Sequence, residues 1–300
     1  MRISTMQMFR QGTSSILEQQ SRLASTQQQL STGKRIVKPS DDPTGAARLV
    51  GLSASSAVTG QYQNNILAVR NRQEIEDAAL AGVVDNLQRA RELAVQGLND
   101  SNTPADRAAI ALEVRQLRNE VLGLANRKDG NGQYLFSGFQ SNTVPFSETS
   151  PGTVAYNGDQ GQRQIQIGPV RQVADGDDGR SVFMDIPDGS GGTEDLFATL
   201  EKLATDLEAD APDGASLDQI DTALDQILTF RAAVGARLNA LDSQESINGA
   251  VLNQLEQTRS AIEDLDYAEA ATRLSRESVA LQAAQQAFVK VQNLSLFNYL

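Results

Sequence analysis

FRQGTSSILEQQSRLASTQQQL, residues 9–30, and YAEAATRLSRESVALQAAQQAF, residues 267–288, carry the same pattern. In the first, Phe9, Ile16, Leu23 and Leu30 recur every seven positions, and Val37 extends the series. In the second, Tyr267, Leu274, Leu281 and Phe288 do the same, on segments otherwise rich in Gln, Ser and Thr. A heptad stripe marks a helix that packs along one narrow seam, whereas a self-contained globular helix shows a wider apolar face. Two such helices at opposite ends of one chain predict that the termini meet and that part of their apolar surface awaits another molecule. On the pattern alone, internal core packing and intermolecular packing stand on equal terms.

Working inward, Gly33 and Pro39 break the first helix. Asp42 followed by Pro43 reads as an N-cap followed by proline at the first helical position. A long helix is expected from there towards Leu98, with Leu80, Val83, Leu87 and Ala94 on one face. Asn99-Asp100-Ser101-Asn102 interrupts it, and Thr103-Pro104-Ala105-Asp106 restarts it with Thr103 capping. Ile110, Val114, Leu117, Val121 and Leu124 then alternate by four and three.

The character changes at Asp129-Gly130-Asn131-Gly132. Twelve of the 23 glycines lie between Gly130 and Gly192, and Pro145, Pro151, Pro169 and Pro187 lie there too. Tyr156-Asn157-Gly158-Asp159 predicts a hairpin turn. Gln164-Ile165-Gln166-Ile167 alternates as a strand, and Val182-Phe183-Met184 reads as another short strand. Helix returns at Leu196, Leu200, Leu203 and Leu207. It returns again from Leu217 to Leu241, broken in pattern only by Arg231, and continues towards Leu255 and Ile262.

The expected fold is mainly α: a long antiparallel, coiled-coil-like helical bundle built from both termini, with a small β-rich insert at the far end. The expected division is residues 1–42 plus 262–300 as terminal assembly helices, 43–129 plus 194–261 as a helical body, and 130–193 as a β-rich outer insert. The insert's ends should lie close, so a short linker replacing 138–192 should leave the helical body folded.

Composition narrows the function. Among 300 residues there is no Cys and no His, which removes disulfides, a thiol nucleophile, and the commonest general base and zinc ligand. The net charge of −12 is uneven. Residues 1–40 hold six bases and one acid, whereas residues 141–220 hold fifteen acids and four bases. An acidic centre disfavours nucleic acid and anionic membranes. The opening residues lack the apolar core of a cleavable signal, and no stretch approaches the roughly 20 apolar residues of a membrane span.

The remaining motifs read as structure. Gly33-Lys34-Arg35 lacks the earlier glycine and the following Ser or Thr of a phosphate loop, so it is a turn. Asp175-Gly176-Asp177-Asp178-Gly179 lacks the sixth-position glycine and the closing glutamate of a calcium loop, so it is an acidic turn. Asp41 and Asp42 adjoin a proline-defined helix start, which suits capping better than acid–base chemistry. No catalytic, cofactor-binding or metal-binding set is expected, and no cofactor.

Leu30-Ser31-Thr32-Gly33-Lys34-Arg35-Ile36 with Pro39-Ser40-Asp41-Asp42-Pro43 resembles the N-terminal region of flagellins and their relatives. Leu265-Asp266-Tyr267-Ala268-Glu269-Ala270-Ala271-Thr272-Arg273-Leu274-Ser275 resembles the matching C-terminal region. The opening Met1-Arg2-Ile3-Ser4-Thr5, the ending Leu294-Ser295-Leu296-Phe297-Asn298-Tyr299-Leu300 and the segment from Tyr134 to Gly138 are similar to the hook-associated branch of that family. The resemblance implies a non-enzymatic structural subunit of the bacterial flagellum, exported unfolded to the hook–filament junction without a cleavable signal peptide. It implies as partners further copies in a ring or helical layer, a neighbouring hook-associated protein, flagellin, and an export chaperone with the secretion apparatus. It implies an assembly seam along Phe9, Ile16, Leu23, Leu30, Tyr267, Leu274, Leu281 and Phe288, with Gly33, Pro39, Asp42 and Pro43 as turn and cap. A flagellin-type filament subunit, a cytosolic coiled-coil adaptor and an enzyme housed in the acidic insert are the rival readings.

Overall fold

Cap and turn residues decide where the helices of this chain begin. The computed structural model describes residues 2–293, with side chains from 6 to 290; Met1 and the 294–300 ending lie outside the described residues. The helices are α1 (Arg2–Thr32), α2 (Pro43–Gly97), α3 (Pro104–Ala125), α4 (Gly179–Phe183), α5 (Leu196–Glu208), α6 (Ala215–Glu263) and α7 (Tyr267–Asn293). Asp42 caps α2 by accepting from the Gly45 amide at 2.9 Å. Thr103 and Asp106 form a reciprocal capping box at α3, and Pro104 occupies its first turn.

Three two-stranded antiparallel sheets lie between α3 and α5. They pair β1 (Phe146–Ser150) with β2 (Thr153–Tyr156), β3 (Gln164–Gln166) with β4 (Gln172–Ala174), and β5 (Ile186–Pro187) with β6 (Thr193–Glu194). The chain forms two compact units, one of residues up to Val58 and from Ala250 onward, the other Thr59–Gly249. The boundaries fall inside α2 and α6 rather than at loops.

The Thr59–Gly249 unit holds the core. Leu80, Val83, Leu87, Val114, Val121, Leu200, Leu203, Ile220 and Ile227 are buried, and α3 packs on α5. Leu135, Phe136, Phe146, Val154, Val182, Phe183 and Ile186 join this same cluster. The segment expected to be a separable outer insert therefore lends side chains to the body's core, which weighs against its replacement by a linker.

Two local expectations are also overturned. Val182 and Phe183 belong to helix α4 rather than a strand, because Asp178 caps it through the Ser181 amide at 2.9 Å and Phe183 must turn into the aromatic cluster. Asn157-Gly158 does not close a hairpin. The β1–β2 turn lies at Pro151-Gly152, where Gly152 takes φ +85°. The Asn157 amide instead bonds the Pro145 carbonyl at 2.7 Å.

Charges bolt the middle segment to the long helices. Arg237 of α6 donates to both Asp177 oxygens at 2.6 and 2.8 Å, and the Asp177 amide donates to Glu76 of α2 at 3.0 Å. Arg72 donates to Asp129 at 3.0 Å and to the Tyr134 and Leu135 carbonyls, while Arg163 pairs with Asp175. Asp175 and Asp177 of the acidic turn are thus paired with arginines, while Asp178 caps α4.

Burial, then Asp177 beside it, pushes the Glu76 carboxyl from 4.5 up to about 8, against the pull of Arg237 and Arg72. The folded chain holds this proton more tightly than the unfolded one. Its contribution to stability is therefore complete below the unfolded value and is lost as pH rises towards about 8. Glu76→Gln keeps the acceptor for the Asp177 amide without the charge. It should raise the melting temperature of this unit more at about pH 8 than at about pH 5. Calorimetry at both pH values checks this; an equal change at both would sink the assignment.

Candidate assembly interface

Helices α1 and α7 pack on each other, and their order is antiparallel: Phe9 meets Phe288 with ring centroids 5.1 Å apart, and Arg273 donates to Gln29 at 2.9 Å. The two stripes are thus brought together. At several stripe positions, though not at Ile16 or Leu274, a small side chain stands three residues on. Gly12 follows Phe9, Thr26 follows Leu23, Gly33 follows Leu30, and Ala270 follows Tyr267. A Cβ on Gly12 would lie 2.7 Å from the Phe288 ring, so glycine there lets the ring approach the backbone. Small residues opposite large ones permit close helix approach, as in a coiled-coil seam with alternating layer sizes.

The pair nevertheless buries little. Thr26 and Ala270 are fully buried, whereas Ile16, Leu23, Leu30, Leu274, Leu281 and Phe288 are only half-buried. Phe9 remains 47% exposed and Tyr267 57%. Met6, Met8, Leu17, Val279 and Val289 are exposed beside them. Among the described residues, Ile36, Leu265 and Ala270 are the only fully buried apolar side chains in this unit. Glu277, also three beyond a stripe residue, has one enclosed carboxylate oxygen without a hydrogen-bond partner. A two-helix pair with so thin an interior gains little against backbone ordering of about 1 to 2 kcal/mol per residue.

A clasp fixes the base of the pair. Gly33 takes φ +70°, its carbonyl accepts from the Leu265 amide at 3.0 Å, and Lys34 bridges to Asp264. The Arg35 amide donates to the Glu263 carbonyl at 2.6 Å, and its guanidinium donates to the Ile262 carbonyl at 2.7 Å. Arg35 thereby satisfies carbonyls that the end of α6 leaves open. Lys34 also pairs with Glu263.

Pro39 sits in the exposed turn closed by the Asp41 amide on the Lys38 carbonyl at 2.9 Å. The Asp41 carboxylate accepts from the Val37 and Lys38 amides. The Gly45 amide, followed by Arg35, holds the Asp42 carboxyl below the usual carboxylate range. Ile36 packs over Gly45, where a Cβ would come within 2.6 Å of it. Sequence reading found the turn residues but missed that Arg35 docks this turn on residues 262–265. The only local signal was a basic pair after the glycine.

Gly33→Ala puts a side chain in the left-handed region and 2.8 Å from the Tyr267 hydroxyl, which it must displace. The conformational cost alone is about 1 to 2 kcal/mol. The expected result is faster hydrogen exchange at the Leu265 amide with exchange in Thr59–Gly249 unchanged; unaltered exchange at Leu265 would show the clasp to be dispensable.

Among the described residues, no group of three or more Asp, Glu, His or Cys side chains could hold a metal ion. No described helix is long and apolar enough to cross a membrane.

The chain matches family models of the bacterial flagellin N-terminal helical region over residues 3–141 and of its C-terminal helical region over residues 217–300. It is 33% identical over 99% of both chains to flagellar hook-associated protein 3 of Escherichia coli K12. It is 31% identical, again over 99% of both, to that of Salmonella typhimurium LT2. The crystal structure of Xanthomonas campestris FlgL matches with a TM-score of 0.64 at 25% identity, covering 70% of this chain and 99% of that one.

Proposed function

The chain belongs to the flagellar hook-associated protein 3 family, within the flagellin group, and on that premise we propose how it builds the junction between hook and filament. It is a structural subunit of the bacterial flagellum. Its terminal helix pair is the assembly surface. Phe9, Ile16, Leu23, Leu30, Tyr267, Leu274, Leu281 and Phe288 complete their burial only against further copies and against neighbouring layers. The single observation that carries this reading is the unfinished interior of the terminal unit, where half-buried stripes flank exposed Met6, Met8 and Val289.

In this reading residues 1–42 and 262–300 polymerise, with Gly33, Pro39, Asp42 and Pro43 setting the turn between them and the body. The segments 43–129 and 194–261 form that body, and 130–193 carries the acidic surface towards solvent while lending side chains to the core. One face of the layer meets a neighbouring hook-associated protein and the other meets flagellin. Thin, weakly buried terminal helices suit export through a narrow channel in unfolded form, without a cleavable signal and with a chaperone covering the apolar stripe until assembly. No catalytic step is assigned to the chain.

Deletion of the gene tests the reading. Bare hooks with flagellin shed into the medium are expected. Loss of the filament polymer itself from both cells and medium would indicate a flagellin, and an unaltered flagellum would indicate a cytosolic adaptor.

A further inference from the structure

Three asparagines of this chain precede glycine: Asn131, Asn157 and Asn248. The structure places them in three different environments. Asn248 is buried within α6, its amide donating to the Ile167 carbonyl at 2.9 Å and its oxygen accepting from Gln244. Helical backbone there keeps the Gly249 nitrogen hydrogen-bonded and away from the side-chain carbon. Asn157 is at the surface, yet its side-chain amide donates to the Ser147 hydroxyl at 2.8 Å, and its backbone amide donates to Pro145. Asn131 is exposed, its side chain makes no hydrogen bond, and Gly132 stands at φ +81° with open space where a Cβ would be.

We infer that Asn131 is a modification site, where the side-chain amide converts spontaneously to aspartate and isoaspartate through a cyclic imide. The Gly132 amide nitrogen, its proton taken by hydroxide, attacks the Asn131 side-chain carbonyl carbon. A carbon–nitrogen bond forms, and the side-chain nitrogen leaves as ammonia after protonation by water. Water then opens the imide at either carbonyl, giving aspartate or isoaspartate. The net change is one water consumed and one ammonia released, with no oxidant or reductant.

One bond on the attacking nitrogen opposes the attack: the Gly132 amide donates to the Asp129 carbonyl at 3.1 Å, in a turn whose Gly130-Asn131 tip is exposed. The consequence reaches inward. The Asp129 carboxylate accepts from the Asn131 and Gln133 amides with one oxygen and from Arg72 with the other. An isoaspartyl link adds a methylene to the backbone of that turn, and either product sets a new negative charge beside Asp129.

The test is ageing of the folded full-length chain in mildly alkaline buffer, followed by tryptic mapping. Residues 129–163 leave as one peptide holding both Asn131 and Asn157, so fragment ions must assign the site; Asn248 leaves in 238–259. Asn131 should convert about tenfold or more faster than Asn157, the factor that one or two net hydrogen bonds supply, and Asn248 should not convert. In denaturant, Asn131 and Asn157 should converge to similar rates. Ser147→Ala should quicken conversion at Asn157 and leave Asn131 unchanged. Equal rates at the two sites in the folded chain, or an unmodified Asn131, would overturn the inference.

Discussion

Leu281→Asp, and separately Leu23→Asp, should leave the Thr59–Gly249 unit melting as in the parent chain and abolish attachment of the filament to the hook. In the isolated subunit both positions are half-buried in the α1–α7 pair, so water still reaches an introduced carboxylate and the local cost is small. In an assembled seam the same charge is dried on all sides and unpaired, at a cost of several kcal/mol for every copy. Multiplied around a layer, that penalty exceeds what any single interface recovers. Calorimetry of the subunit beside electron microscopy of hooks and a motility assay measures both halves. A variant whose core unit melts early but which still builds filaments would show the stripe to be internal packing only.

Replacement of residues 138–192 by a Gly/Ser linker should unfold the Thr59–Gly249 unit rather than trim its surface. The deletion removes Phe146, Val154, Val182, Phe183 and Ile186 from the principal core and uncovers Phe136 and Phe197. It also removes Asp177, leaving Arg237 without the carboxylate it pairs with. Phe183 alone lies edge-on to Phe136 at 5.2 Å and to Phe146 at 5.4 Å. Phe183→Ala should therefore cost about 3 to 5 kcal/mol in urea unfolding of this unit. A linker variant that retains the parent's cooperative transition would restore the view of 138–192 as a separable excursion.

The two variants divide the molecule by the kind of stability each part possesses. One part has a dense interior and fails when the interior is cut. The other has almost none, and its variants should fail only in assembly. On the proposed reading, export and polymerisation would suit this division, since segments that fold only against partners have the least to gain alone.

Much of this organisation stands in the chain as written. Asp42-Pro43 and Thr103-Pro104-Ala105-Asp106 set helix starts by local hydrogen bonds, which involve only neighbours and so are legible without a fold. The seven-residue stripes from Phe9 and from Tyr267 declare narrow seams for the same reason, since periodicity is a property of one helix. Tertiary contact alone decided the rest. Val182-Phe183-Met184 is too short for period to separate strand from helix, and an Asp178 cap with a place among Phe136, Phe146 and Phe197 settled it. Asn157-Gly158 carries a hairpin signal, but the Pro145 carbonyl and Ser147 hydroxyl claimed Asn157 first. That 138–192 belongs to the core depends on Phe146 and Phe183 reaching Phe197 of α5, and that Arg35 docks on Ile262 depends on residues 227 positions apart. Local bonds are fixed by sequence neighbours; burial and ion pairing are fixed by which distant surfaces exclude water together, and only the folded chain determines that.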